Sequence, residues 1–144
     1  MIRFDHVLLI GFGGPTRPEE VRPFLERVTE GLRIPEARLQ EVARHYEVTG
    51  GVSAYNPLAR KLSEGLEQDL AGNGAPLPVF LGMRNWHPLL PDVLRTIQGR
   101  GLRQGIGVIL APHRSEASFD RYLASLEEAL REITRRADLL VKAA

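Results

Sequence analysis

Short continuous apolar runs alternate along this chain with longer segments whose apolar residues recur every three or four positions. Val7-Leu8-Leu9-Ile10, Val79-Phe80-Leu81 and Val108-Ile109-Leu110 are runs of the first kind. Runs of that length, bounded by Gly or Pro, read as strands of a buried parallel sheet. They predict strands over 6–11, 78–83 and 106–111. Helical spacing fills the intervals. The first helix opens at Thr16 and Pro18, carries Glu19 and Glu20 where the helix dipole favours anions, and stops near 30 at Gly31. Others are expected over 36–48, broken by Thr49-Gly50-Gly51, over 57–70, ended by Gly72-Asn73-Gly74, and over 88–98, closed by Gly99-Arg100-Gly101. The longest runs over 116–136, with Phe119, Leu123, Leu126, Leu130 and Ile133 as its expected core face. Asp138-Leu139-Leu140-Val141-Lys142 reads as the opening of a fourth strand.

Strands alternating with helices define an α/β protein: a three-layer sandwich with a four-stranded parallel sheet, flavodoxin-like, with right-handed crossovers. Residues 1–144 form one domain, with no repeat, low-complexity tract or linker. Two extra helices lengthen the first crossover, and an insertion of that kind covers a pocket or carries function. Charge and composition narrow the partners. A formal net charge of +1 leaves no basic stripe for nucleic acid and no polybasic membrane patch. The absence of cysteine removes disulfides and thiolate metal sites. No apolar run is long enough for a signal peptide or a membrane span, so a cytoplasmic protein is expected.

Candidate chemistry gathers at the carboxyl ends of the strands, where open α/β sheets bind ligands. Gly11-Phe12-Gly13-Gly14-Pro15 follows the first strand. It fits neither the dinucleotide fingerprint nor a P-loop. Two readings stay open: an anion cradle of backbone N–H groups, or a tight turn that presents Phe12. Of four histidines, His6 at a strand start and His45 on a polar helix face are expected to be structural or solvated. His87 and His113 follow strands on one sheet edge, where neutral imidazole can ligate a metal or accept a proton. His113 is expected just past the end of a central strand that Pro112 stops. Trp86, the only tryptophan, is either a pocket wall or a ring folded onto the next helix. Arg22, Arg27, Arg33 and Arg38 are solvated or, in part, available to ligand carboxylates. These features describe a polar and aromatic pocket and name no reaction.

Five blocks in order go further. They are Leu8-Leu9-Ile10-x-Phe12-Gly13-Gly14-Pro15 with Pro18-Glu19-Glu20-Val21-x-Pro23-Phe24-Leu25, His45-Tyr46-Glu47-x-x-Gly50-Gly51-Val52-Ser53, Gly82-Met83-Arg84-Asn85-Trp86-His87-Pro88, and Leu110-Ala111-Pro112-His113-Arg114-Ser115. Together they resemble the first half of bacterial ferrochelatases, which insert ferrous iron into protoporphyrin or coproporphyrin. The resemblance implies a chelatase-like half-domain with porphyrin and ferrous iron as substrates, haem as product or bound ligand, and no obligatory cofactor. It implies that Phe12 touches one face of the macrocycle, where some relatives carry Tyr. Gly50, Gly51, Ser53 and Tyr46 would line the cleft, with Trp86 beside them, and Arg33 would lie near the propionates. His113 matches a family histidine at the cleft edge and is the one expected metal contact. The His and Glu that take the pyrrole protons belong to the family's second domain, so no catalytic residue is expected in this chain. Two functions follow as expectations: a domain of an iron-inserting enzyme, or a non-catalytic porphyrin- or haem-binding half. Either would need a homodimer partner or a second-half domain.

Overall fold

The computed structural model describes residues 3–111 and 113–143. The elements run β1 (His6–Gly11), a 3-10 turn (Pro18–Glu20), α1 (Val21–Val28), α2 (Glu36–Val48), α3 (Tyr55–Gly72), β2 (Val79–Met83), α4 (Leu90–Gly99), β3 (Gly105–Ile109), a π-helical turn (Glu116–Asp120) and α5 (Arg121–Ala143). The three strands pair in parallel in the order β2-β1-β3, with Leu9 opposite both Leu81 and Val108. β1 is therefore the central strand, and all six of its residues are buried. That reverses the expectation for β3, which lies at an edge and is largely exposed. Its apolar sequence reports a strand; whether a neighbour covers it is set by the sheet order.

Side chains of a strand alternate between faces, and this sheet uses both. Leu8 and Ile10 pack with Leu90, Leu94 and Ile97 of α4 and Tyr122, Ala129 and Ile133 of α5. On the opposite face α3 closes in: a Cβ on Gly11 would meet the Tyr55 hydroxyl at 2.9 Å. Glu67 of α3 also accepts from the Val79 N–H at 2.7 Å. Helices thus cover both faces of the parallel sheet over β1 and β2 and leave β3 largely exposed.

α1 and α2 form an inserted hairpin with its own small core. Val21, Phe24 and Leu25 are buried there, covered by Leu39, Val42, Ala43 and Tyr46 of α2. α2 itself buries no residue fully.

Two expectations fail in α5. The predicted fourth strand at 138–142 is helical, because α5 runs without interruption to Ala143. Neither Gly nor Pro occurs between Arg121 and Ala144, and Ala, Leu, Lys and Arg sustain the helix. The core face is also rotated. Tyr122, Ala129 and Ile133 are buried and Leu126 packs beside them, while Leu123 and Leu130 remain 36% and 46% exposed. Both stripes are apolar at helical spacing, and the sheet selects one. No helix among the described residues is long and apolar enough to cross a membrane.

Candidate functional site

The segments following β1 and β2 lie side by side, tied by backbone bonds. Arg84 and Asn85 donate N–H to the carbonyls of Gly11 and Phe12, each at 2.9 Å. The start of α3 locks the arrangement. The Tyr55 hydroxyl accepts from Phe12 N–H at 3.0 Å. Buried Asn56 accepts from Gly14 N–H at 2.9 Å through Oδ1 and donates Nδ2–H to the His87 carbonyl at 3.1 Å. Two N–H groups of the glycine-rich loop are thus already satisfied inside the protein, which favours the tight turn over the anion cradle.

Close approach explains the glycines. Gly13 has φ +87°, and a Cβ there would press on the Trp86 backbone nitrogen at 3.1 Å. A Cβ on Gly14 would overlap Ser53 Oγ at 2.6 Å, and one on Gly51 (φ +71°) would overlap Pro18 Cα at 2.7 Å. The 51–53 loop is therefore seated directly on the turn after β1, and Ser53 N–H donates to Pro15 O at 2.8 Å. Gly50 is exposed and has open space around it.

Aromatic rings gather on the other side of this turn. Phe24 is their hub, edge-to-face with Phe12 at 6.4 Å, Tyr46 at 6.1 Å and Trp86 at 6.1 Å. Such pairs add about 0.5–1.5 kcal/mol each beyond simple burial. Phe12, Tyr46 and Trp86 are each only partly buried, so this is a surface with aromatic character rather than a closed core. Partial burial raises the Tyr46 hydroxyl above its ordinary pKa, and it stays a neutral phenol.

Cavities flank this surface. One of about 350 Å³ is lined by Arg27, Glu30, Arg84, Asn85 and Ser125, among others. Arg84 lies over the Tyr122 ring and donates to Ser125 Oγ at 3.1 Å. Burial, aided by neighbouring Tyr55, pushes the Tyr122 hydroxyl up to about 12 against the pull of Arg84. The Asn85 amide nitrogen is buried there with no hydrogen-bond partner. A second cavity, of about 790 Å³, meets the turn from the α3 side and is lined by Thr16, Asn56, Arg60 and His87, among others.

The remaining candidates separate from this cluster. Arg22 is held by Glu36 through paired contacts at 2.6 and 2.8 Å and by Glu26 at 2.8 Å, and Arg38 pairs with Glu41 at 2.7 Å. Arg33 is exposed in the connection between α1 and α2 and makes no ion pair among the described residues. His113 is exposed beyond β3, and its carbonyl accepts from Ser118 Oγ at 3.0 Å; Pro112, read as the stop before it, lies outside the described residues. No group of three or more His, Asp or Glu side chains among the described residues is placed to hold a metal. His6 is structural: Nδ1 contacts Asp5 Oδ1 at 2.5 Å, and its ring fills the space a Cβ on Gly105 would need. His45 is exposed on α2.

Asn56 builds the site from outside every motif block, while Phe24 and Glu20 lie inside the first helix's block without a site role being expected of them. Glu20 Oε2 accepts from the Trp86 indole N–H at 2.9 Å and from Thr16 N–H and Oγ1–H at 2.8 and 2.9 Å. Partial burial pushes the Glu20 carboxyl up, but the donors of Thr16, Trp86 and Arg17 outweigh it and hold the pKa at about 2.

Fold and site together define an open α/β domain with an aromatic and polar surface at its strand ends. The family model for ferrochelatase matches residues 5–142, and the chain belongs to that family. It is 42% identical over 139 residues to a coproporphyrin III ferrochelatase of Mycobacteroides abscessus, covering 96% of this chain and 41% of that protein. It is 43% identical over 127 residues to a coproporphyrin III ferrochelatase of Streptomyces coelicolor, covering 88% of this chain and 34% of that protein. A protein of the same name from Nocardia farcinica is 49% identical over 98 residues, covering 68% and 28%. The chain therefore spans between about a quarter and two-fifths of the length of these relatives.

Proposed function

We propose that this chain supplies one wall of a porphyrin-binding cleft in a metal-inserting enzyme, with coproporphyrin III as the first porphyrin to test and ferrous iron as the metal substrate. The aromatic surface where Phe12, Tyr46 and Trp86 meet over Phe24 carries this reading. A planar, apolar macrocycle stacks on partly exposed rings. Its carboxylates call for guanidinium and hydroxyl partners, which Arg33 and Ser53 can offer in this reading. The exposed imidazole of His113 is available to a metal ion.

Insertion also requires a base that removes two pyrrole protons. Glu20 is poorly suited, because five hydrogen bonds occupy its carboxylate and its pKa is near 2. In this reading the chain binds and orients the ring, and the proton-accepting groups belong to a second-half domain or a partner chain. The low basicity of Glu20 equally supports a binding role without turnover.

One titration tests the binding. Coproporphyrin III added to the 144-residue chain is expected to shift its Soret band, and Ser53→Trp, which fills the space beside Gly14, is expected to abolish the shift. A shift that survives unchanged in Ser53→Trp rejects this location. Zinc(II) added to the complex, followed by fluorescence of the metalated product, separates a complete enzyme from a binding half.

A further inference from the structure

Trp86 stands at the β2 end of the candidate surface, and its surroundings hold it from several directions. Its indole meets Phe24 edge-on at 6.1 Å with the planes at 89°, and lies 5.3 Å from the His87 ring. Gly13 approaches so closely that a Cβ there would sit 3.3 Å from Trp86 Cβ. Packing of this kind still allows a partly exposed ring to swing about its side-chain bonds. The polar edge is what ties it down. The indole N–H donates to Glu20 Oε2 at 2.9 Å, between residues 66 apart in sequence.

The carboxylate is unusually well supplied with donors. Oε2 also accepts both Thr16 donors, and Oε1 accepts Arg17 Nε and Nη2 at 3.2 and 3.1 Å. The Thr16 contacts fold the Glu20 side chain back onto the residue that precedes the turn's N-cap, Arg17. The Arg17 pair adds little, since Arg17 is 73% exposed and water screens exposed ion pairs. Neither role requires a bond to the loop after β2. The bond to Trp86 connects the turn after β1 with the far wall of the surface, and the Glu20 side chain is only 17% exposed.

We infer that Glu20 is a positioning residue: its carboxylate fixes the Trp86 indole as a preset wall against which a planar aromatic ligand seats. This rests on the porphyrin-binding reading for the ligand alone; the hold on the indole stands independently. A fixed ring binds more tightly than a free rotor because the ordering cost is met before the ligand arrives. Ionised Glu20 can accept all five hydrogen bonds, and a neutral amide in its place cannot, since its NH2 is itself a donor.

Trp86 is the chain's only tryptophan, so its fluorescence reports this contact without a label. Glu20→Ala is expected to shift the emission maximum and lower the steady-state anisotropy. Thr16→Ala, which removes another donor to the same carboxylate, should leave both at wild-type values. Glu20→Gln, which keeps one carbonyl acceptor, should restore most of the anisotropy; if Glu20→Ala does not fold by circular dichroism, Glu20→Leu, which keeps bulk and offers no acceptor, replaces it with the same expected losses. For coproporphyrin III, Soret titration is expected to give about a tenfold weaker Kd in Glu20→Ala, corresponding to about 1.4 kcal/mol. That loss should disappear in a Trp86→Phe background, as a double-mutant cycle requires of coupled residues. Wild-type fluorescence in Glu20→Ala overturns the inference. So does equal loss of affinity in Thr16→Ala, or a Glu20→Ala effect that persists beside Trp86→Phe. If the wild-type chain binds no coproporphyrin III, the functional reading fails, and the fluorescence comparison alone decides the role of Glu20.

Discussion

Asn56 uses both ends of its amide between the two strand-end loops, and it is 6% exposed. Removing it leaves Gly14 N–H and the His87 carbonyl without their partner in a place water reaches poorly. A buried group left unpaired costs about 1–3 kcal/mol. Asn56→Ala is therefore expected to lower the melting temperature by roughly 10 °C in a domain of this size. Asn56→Asp, which keeps the acceptor for Gly14 and loses the donor to His87, should recover part of that loss. Thermal melts of the two variants check the order; equal melting temperatures would show that the Gly14 bond contributes nothing. Such residues are hard to read from sequence because their partners lie 42 and 31 positions away. An isolated Asn before Pro57 has the ordinary look of a helix start. Glu20 is hidden in the same way: its position in a first turn is explained by the helix dipole, which conceals its second partner.

At the scale of elements, local pattern served well where one neighbour decides the outcome. The β1 and α2 boundaries follow from apolar runs and from breakers at each end, and both match the expected spans. The exposure of β3 and the core face of α5 were not readable, because each depends on which element arrives at which side of the sheet. Pro57 to Leu70 likewise understated α3, whose first turn contains Tyr55 and Asn56. The inserted hairpin shows how little holds one element to the next. α2 buries no residue fully, and α1 contributes Val21, Phe24 and Leu25. Phe24→Ala removes the ring that Phe12, Tyr46 and Trp86 share, at a cost of about 3–5 kcal/mol. Limited trypsin digestion should then cut faster after exposed Arg33, between α1 and α2, than in the wild type. An unchanged cleavage rate would show that Phe24 does not secure the hairpin.

For the whole molecule the sheet edge dominates. Among the described residues β3 pairs only with β1, and Ile106 and Val108 on it are 39% and 40% exposed. An uncovered parallel edge with apolar side chains favours association. The 144-residue chain is expected to scatter light as a dimer whose mass falls on dilution, whereas a monomer mass throughout a dilution series rejects this. Ile106→Lys should shift the equilibrium towards monomer. The aromatic surface lies beyond the carboxyl ends of β1 and β2, so this substitution on β3 should leave porphyrin binding intact if the two regions act separately.

Phe12 packs against both hydrophobic clusters, the one beneath α4 and α5 and the one inside the hairpin. The hairpin therefore cannot melt away on its own without stripping cover from a ring that the sheet also uses. Two packings built from distant stretches of chain share a side chain, and in the language of cooperativity they are joined into one unfolding unit. A ligand seated on Phe12 would then be felt in hydrogen exchange across both.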